Sequence, residues 1–206
     1  MPPPKLNKEI RSFIAIDLSS AIKTSLGKLQ EILKSYSLPI RWVKPDGIHI
    51  TLKFLGNINL GLAERIRLRL DELFSERGAP FAISFSDAGV FPNVVKPRVV
   101  WLGIERGSEQ LVQIQHEVDT ELYRSFKIKK EKRKYRPHLT IGRIKKPCSI
   151  EPLLARIKEE QALFRDQMPV NALKLFESIL RPSGAEYRVI QTFHFREGHE
   201  GVSHEE

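Results

Sequence analysis

Apolar residues recur along this chain with two different spacings, and the changes between them outline the elements. Arg11-Ser12-Phe13-Ile14-Ala15-Ile16-Asp17-Leu18 is a short apolar run that predicts a strand. Ser19-Ser20 then offers a helix cap, and Ile22, Leu26, Leu29, Ile32 and Leu33 follow at helical spacing until Pro39. Arg41 to Lys44 predicts a short strand, Pro45-Asp46-Gly47 a turn, and Ile48 to Leu55 a β-prone run ending at Gly56. Leu62, Ile66, Leu70 and Leu73 mark a second helix, closed by Gly78 and Pro80. Phe81 to Phe85 alternates as a strand, Val99 to Ile104 predicts another, and Phe91 to Arg98 reads as a connection between them. Gly107-Ser108 opens a third helix with Leu111, Ile114, Val118 and Leu122 on one face. Arg136 to Ile144 predicts a strand broken by Pro147, Ile150 to Phe164 a fourth helix, and Val170 to Leu180 with Tyr187 to Phe195 two final strands. Pro182-Ser183-Gly184 joins that last pair.

Strands joined by short turns argue against a purely parallel sheet, so the pattern predicts an α+β fold. No linker divides the chain. The expectation is a single bilobal domain over residues 1–206, with 11–195 folded and 1–8 and 197–206 flexible. Composition agrees: 41% hydrophobic and 29% charged residues suit a globular chain rather than a disordered one. One cysteine, Cys148, excludes an internal disulfide framework and a cysteine-based zinc site. No apolar run is long enough to predict a membrane-spanning helix, and the Pro-rich start lacks a signal peptide's apolar centre. A cytoplasmic protein with no membrane contact is expected. The net charge of +9 calls for an anionic partner without naming it.

One local pattern occurs twice. His49-Ile50-Thr51-Leu52 and His138-Leu139-Thr140-Ile141 both read His, apolar, Thr, apolar, and they lie 89 residues apart in corresponding halves. In a chain with these counts of His and Thr, such a pattern should arise by chance roughly 0.025 times. Residues i and i+2 share a strand face, so each motif places its His and Thr together and its apolar residues opposite. Two such strands side by side would bring two imidazoles and two hydroxyls into one cleft. A neutral imidazole can take a proton from water while a protonated one delivers a proton to a leaving oxygen. Threonine hydroxyls can hold phosphoryl oxygens. The set suits phosphodiester hydrolysis without a cofactor. Neither motif carries a nearby acidic partner, so no metal site is expected. His116, His194, His199 and His204 read as ordinary histidines.

With these residues in view, the chain resembles the 2H phosphoesterase superfamily, and within it the RNA 2′,3′-cyclic phosphodiesterases, also called 2′-5′ RNA ligases. The resemblance rests on Phe13 to Leu18 as opening strand and on Trp42-Val43-Lys44-Pro45 leading to His49 through Gly56. It continues through Arg136 to Arg143, and through Phe176-Glu177-Ser178 with Gly184 and Tyr187. It implies two antiparallel sheets around a central cleft, outer helices and pseudo-twofold symmetry. It implies hydrolysis of RNA 2′,3′-cyclic phosphate ends to 2′-phosphomonoesters, with His49 as proton donor, His138 as proton acceptor, and Thr51 and Thr140 beside them. Reversible 2′-5′ joining of RNA ends is the associated activity. The implied partner is RNA with such ends, tRNA fragments and small cyclic nucleotides included, acted on by a monomer.

By position the resemblance also places Phe54 and Arg143 against the terminal nucleotide. Strict alternation puts both on the face opposite their histidines, so they reach the cleft only where the strand bends, bulges or ends. Lys53 shares the parity of His49 and would reach phosphate or sit at the rim. Trp42 reads as a packing residue. Two other functions fit the same fold: a nucleotide- or RNA-binding module without catalysis, and an enzyme for small cyclic nucleotides. Intact His and Thr in both motifs favour the enzyme. Most of the surplus charge is local, since Lys127 to Arg136 holds seven basic residues and one acid and ends two residues before His138. Such a run reads either as a solvated loop or as a basic rim that attracts RNA.

Overall fold

The computed structural model describes residues 8–75, 80–164, 166–182 and 184–195. The expected flexibility of residues 1–7 and 197–206 lies outside the described residues, as does Gly78 in the expected stop of the second helix. The strands are β1 (Glu9–Asp17), β2 (Ile40–Trp42), β3 (His49–Asn59), β4 (Phe81–Ile83), β5 (Phe85–Phe91), β6 (Val99–Ile104), β7 (His138–Ile144), β8 (Met168–Val170), β9 (Ala172–Arg181) and β10 (Gly184–His194). The α-helices are α1 (Ser20–Lys34), α2 (Leu60–Ser75), α3 (Ser108–Phe126) and α4 (Glu151–Glu159). Among the described residues no helix is long and apolar enough to cross a membrane.

The α+β class and the antiparallel pairing agree with the expectation. The main sheet runs β10-β9-β1-β3-β7-β6-β5, with β2 also paired to β7, and β4 with β8 forms a separate two-stranded sheet. All these pairings are antiparallel. The two halves repeat one plan: β1-α1-β3-α2 corresponds to β6-α3-β7-α4. The central strands of the halves, β3 and β7, meet at a single register pair, Ile50 against Leu139. Those two residues are themselves equivalent under the 89-residue repeat, so the pseudo-twofold axis passes between them.

The main core lies beneath this junction. Ile50 and Leu139 are fully buried, with Ile14, Ile16, Leu26, Leu29, Ile66, Leu70, Leu111, Val118 and Leu122 around them. Ser19 caps α1 through a 3.4 Å bond from the Ile22 amide to its Oγ, the cap read from sequence. A second, small apolar cluster of Phe13, Ala15 and Phe176 stands apart from that core. On β1 these residues alternate with Ile14 and Ile16, so they occupy the other face of the sheet.

Three elements depart from the sequence pattern or refine it. The predicted strand at 81–85 is broken at Ser84: Phe81–Ile83 pairs with β8, and Phe85–Phe91 belongs to the main sheet. Strand β5 therefore extends well past the predicted strand, to the start of the segment read as a connection. Helix α4 gives way to a 3-10 segment at Glu160–Phe164. Trp42 packs as expected: it partners Gly142, where a Cβ would lie 3.2 Å from its ring.

Candidate active site

β3 and β7 carry the two motifs into the centre of the sheet. Beside the Ile50–Leu139 pair, antiparallel register carries His49 towards Thr140 and Thr51 towards His138. Because Ile50 and Leu139 enter the core, the two His and two Thr face the cleft. All four are half-buried. The threonine hydroxyls face the same space as the imidazoles, where a ligand's oxygens can accept from them.

The imidazoles are held alike. His49 Nδ1 lies 2.9 Å from the Gly47 carbonyl oxygen, and His138 Nδ1 lies 2.7 Å from that of Arg136. A carbonyl only accepts, so Nδ1 carries the hydrogen in both rings. Nε2 is then the unprotonated nitrogen of each neutral ring, the one able to take up a proton. Each bond reaches back two residues, which makes the backbone before the motif part of the site.

Aromatic rings frame both histidines. Phe13 stacks on His49 at 4.6 Å, and Tyr187 meets His49 edge-on at 5.1 Å. Phe176 stacks on Phe13 at 5.1 Å. On the other side Phe91 meets His138 edge-on at 5.0 Å and stacks on Trp101 at 5.1 Å. Trp101 lies over Gly89, where any Cβ would collide with its ring. These walls remove water from the imidazoles without supplying charge.

The electrostatic result is a pair of depressed pKa values. Burial pushes His49 down to about 4; Lys23 and Arg143 push the same way, while the Gly47 bond and the Asp17 charge oppose them. Burial also lowers His138, and the bond to the Arg136 carbonyl opposes it. Asp17 sits opposite His49 in the β1–β3 register and bonds Lys23 at 2.8 Å and Lys174 at 2.7 Å. Burial acts to raise its carboxyl, but the two lysines outweigh that and hold it below the usual value.

Both strands carry a bulge at the same place. In the β1–β3 ladder Ile14 pairs with Lys53 and Ala15 with Thr51, so Leu52 is the extra residue. In the β6–β7 ladder Val100 pairs with Gly142 and Trp101 with Thr140, so Ile141 is extra. Leu52 and Ile141 are equivalent motif positions. Each bulge reverses the parity of the residues after it. Phe54 therefore emerges on the cleft side, 59% exposed, with its ring 6.1 Å from that of Phe13. Arg143 is exposed in the same way, and its charge acts on His49.

Lys53 goes the other way, which corrects the expectation that it would reach phosphate or sit at the rim. It is 2% exposed, its Nζ 2.6 Å from Asp119 Oδ1 and 2.6 Å from the Lys129 carbonyl oxygen to which it donates. A parity argument without the bulge assigns it to the wrong face. Of the other histidines, His116 and His194 are exposed, and His199 and His204 lie outside the described residues. Among the described residues no group of three His, Cys, Asp or Glu side chains is placed to hold a metal ion.

Sequence reasoning missed several groups that shape the site: Phe13, Asp17, Lys174, Phe91 and Trp101. Alternation along β1 does mark Phe13 and Asp17 as sharing a face. Only the β1–β9 pairing shows that Lys174 meets them.

A family model described as the 2′-5′ RNA ligase superfamily matches residues 27–179 of the chain. A protein named RNA 2′,3′-cyclic phosphodiesterase from Methanothermobacter thermautotrophicus is 36% identical over 187 residues, covering 90% of this chain and 98% of its own. One of the same name from Methanocaldococcus jannaschii is 36% identical over 182 residues, covering 88% of this chain and 99% of its own. Among solved structures, TT0787 of Thermus thermophilus superposes with a TM-score of 0.75 at 24% identity, covering 92% of this chain and 100% of its own. Apo LigT of E. coli gives 0.72 at 22% identity, covering 91% and 98%. These likenesses agree on the fold.

Proposed function

The chain belongs to the 2′-5′ RNA ligase superfamily, and from that premise we propose that it opens RNA 2′,3′-cyclic phosphate ends to 2′-phosphomonoesters by two-histidine acid–base catalysis. The observation that carries the reading is the single Ile50–Leu139 pair, which sets two identically anchored imidazoles on one face across a pseudo-twofold axis. Relatives over nearly the full chain carry the name of this activity.

In the proposed step, His138 Nε2 accepts a proton from water as the water oxygen bonds to phosphorus. The P–O3′ bond breaks, and His49 Nε2–H gives its proton to O3′. The product has a 2′-phosphate and a 3′-hydroxyl, and proton exchange with solvent resets the pair. Thr51 and Thr140 donate to the non-bridging oxygens. Phe54 offers a face for the terminal base, and Arg143 a cation for phosphate or base. The two imidazoles carry every proton transfer in this scheme. The donor role of His49 and the acceptor role of His138 follow the family resemblance; at His49 the charge of Asp17 favours the imidazolium, and burial, Lys23 and Arg143 oppose it. In the free protein burial disfavours the imidazolium, and a bound phosphodiester supplies the compensating negative charge. If a 5′-hydroxyl replaces the water, the same displacement joins two RNA ends through a 2′-5′ bond, which is the proposed route to ligation.

His49→Ala and His138→Ala should each lower kcat on an RNA ending in 2′,3′-cyclic phosphate by about 10²- to 10⁴-fold, with a far smaller change in KM. Full activity in both variants would contradict the assignment.

A further inference from the structure

The basic stretch after α3 is not an unattached loop. It runs along β3 from the buried Lys53 to the motif, in the space where β3 and β7 diverge beyond their single pair. Its first half is anchored by the Lys53 bond to the Lys129 carbonyl and by the Glu131 amide donating to Asp119 Oδ2 at 3.2 Å. Its second half is anchored where Tyr135 donates to the Thr51 carbonyl at 2.9 Å and where the Arg136 carbonyl holds His138. Between these anchors the side chains of Lys129, Lys132, Arg133, Lys134 and Arg136 are exposed.

Cations without a carboxylate partner also occur elsewhere among the described residues, Lys28, Arg41, Lys96 and Lys158 among them, but this loop concentrates them. Elsewhere many cations are matched: Lys23 and Lys174 with Asp17, Arg69 with Glu72 and Glu121, Arg156 with Glu159, Arg188 with Glu177. The loop's only acid, Glu131, lies 3.6 Å from Lys53. Lys130 is occupied by Thr120 and the Tyr123 ring, and Lys127 by the Arg124 carbonyl and that ring. Among the described residues, none of the other five cations pairs with a carboxylate.

We propose that residues 129–136 form a docking surface for the phosphodiester backbone of the RNA strand that precedes the reacting end. The proposal rests on the function proposed above and adds to it a preference for polymeric RNA over a cyclic mononucleotide. The anchors tie the backbone of this cation-rich segment to β3 at Lys53 and Thr51, and the segment ends at the carbonyl that holds His138. A repeating polyanion, rather than one phosphate, matches five separated charges. An acidic protein would also match their sign, but the same loop ends at the candidate site for a phosphodiester, which favours RNA.

The test neutralises Lys129, Lys132, Arg133 and Lys134 to Gln, and compares a charge-matched variant with Lys28, Lys34, Lys146 and Lys158 changed to Gln. Binding of a labelled RNA of about twenty nucleotides, read by anisotropy, does not depend on turnover. If four contacts engage a single strand, wild-type affinity should fall roughly 50-fold between 50 and 200 mM salt. The loop variant should bind at least about 50-fold more weakly at the lower salt and show a much flatter salt dependence, with the matched control close to wild type. In turnover, the loop variant should lose kcat/KM on the RNA while hydrolysis of 2′,3′-cyclic AMP stays within about twofold. Unchanged RNA binding, or an equal loss in the matched control, would overturn the docking surface. Wild-type protein that binds RNA through the loop yet cleaves neither substrate would instead overturn the proposed function.

Discussion

At His49 the protein surrounds a titratable ring with Phe13, Phe176 and Tyr187, and among the described residues the charge of Asp17 is set against those of Lys23 and Arg143. Burial wins, and the ring ionises near 4 in the free protein. His138 moves the same way. A reaction that needs one protonated and one neutral ring then depends on protonating a reluctant pair. The sign is direct: kcat/KM reports the free protein, so it should peak below pH 6.5, the ordinary histidine value, and fall as pH rises through neutrality. Bound phosphate raises both pKa values, so the kcat profile should peak at higher pH than the kcat/KM profile. Initial rates across pH 4 to 9 on a cyclic-phosphate RNA check this. A kcat/KM optimum at or above about pH 8 would contradict the account.

At the scale of elements, the two bulges decide which side chains reach the site. The motifs themselves are legible in the sequence, because period-2 alternation needs only His49 to Thr51 and His138 to Thr140. Alternation cannot show the extra residue at Leu52 and Ile141, since a bulge is set by the partner strands β1 and β6. That is why Phe54 and Arg143 carry a condition and Lys53 is assigned to the cleft side from sequence. The break at Ser84 is hidden for the same reason: Phe81–Ile83 is claimed by β8, a distant segment. Lys53, turned inward, is the post that holds the loop. Lys53→Met should leave Asp119 as an unpaired buried charge and cost about 3–5 kcal/mol in stability. Pairing it with Asp119→Leu should recover much of that loss. Denaturant unfolding of the single and double variants measures both, and additive losses would show that the ion pair is not coupled.

For the whole molecule, the decisive feature is duplication. Two β-α-β-α halves each present His, apolar, Thr, apolar on a central strand, and one backbone pair makes them a single site. The repeat is visible at sequence level, and it carries the fold class, the cleft and the central residues. The aromatic walls are not visible there, because Phe91, Trp101 and Phe176 come from strands whose neighbours are fixed only by sheet order. The net charge of +9 likewise acquires meaning from three dimensions, where the loop before His138 holds five cations that pair with no carboxylate among the described residues. The central claim is that the paired histidines open a cyclic phosphate by expelling O3′ without a metal. An RNA oligonucleotide ending in 2′,3′-cyclic phosphate, incubated with the protein in EDTA, tests it most directly through the position of the product phosphate. A 2′-phosphate end formed at an undiminished rate is the expected result; a 3′-phosphate end, or activity abolished by the chelator, would contradict it.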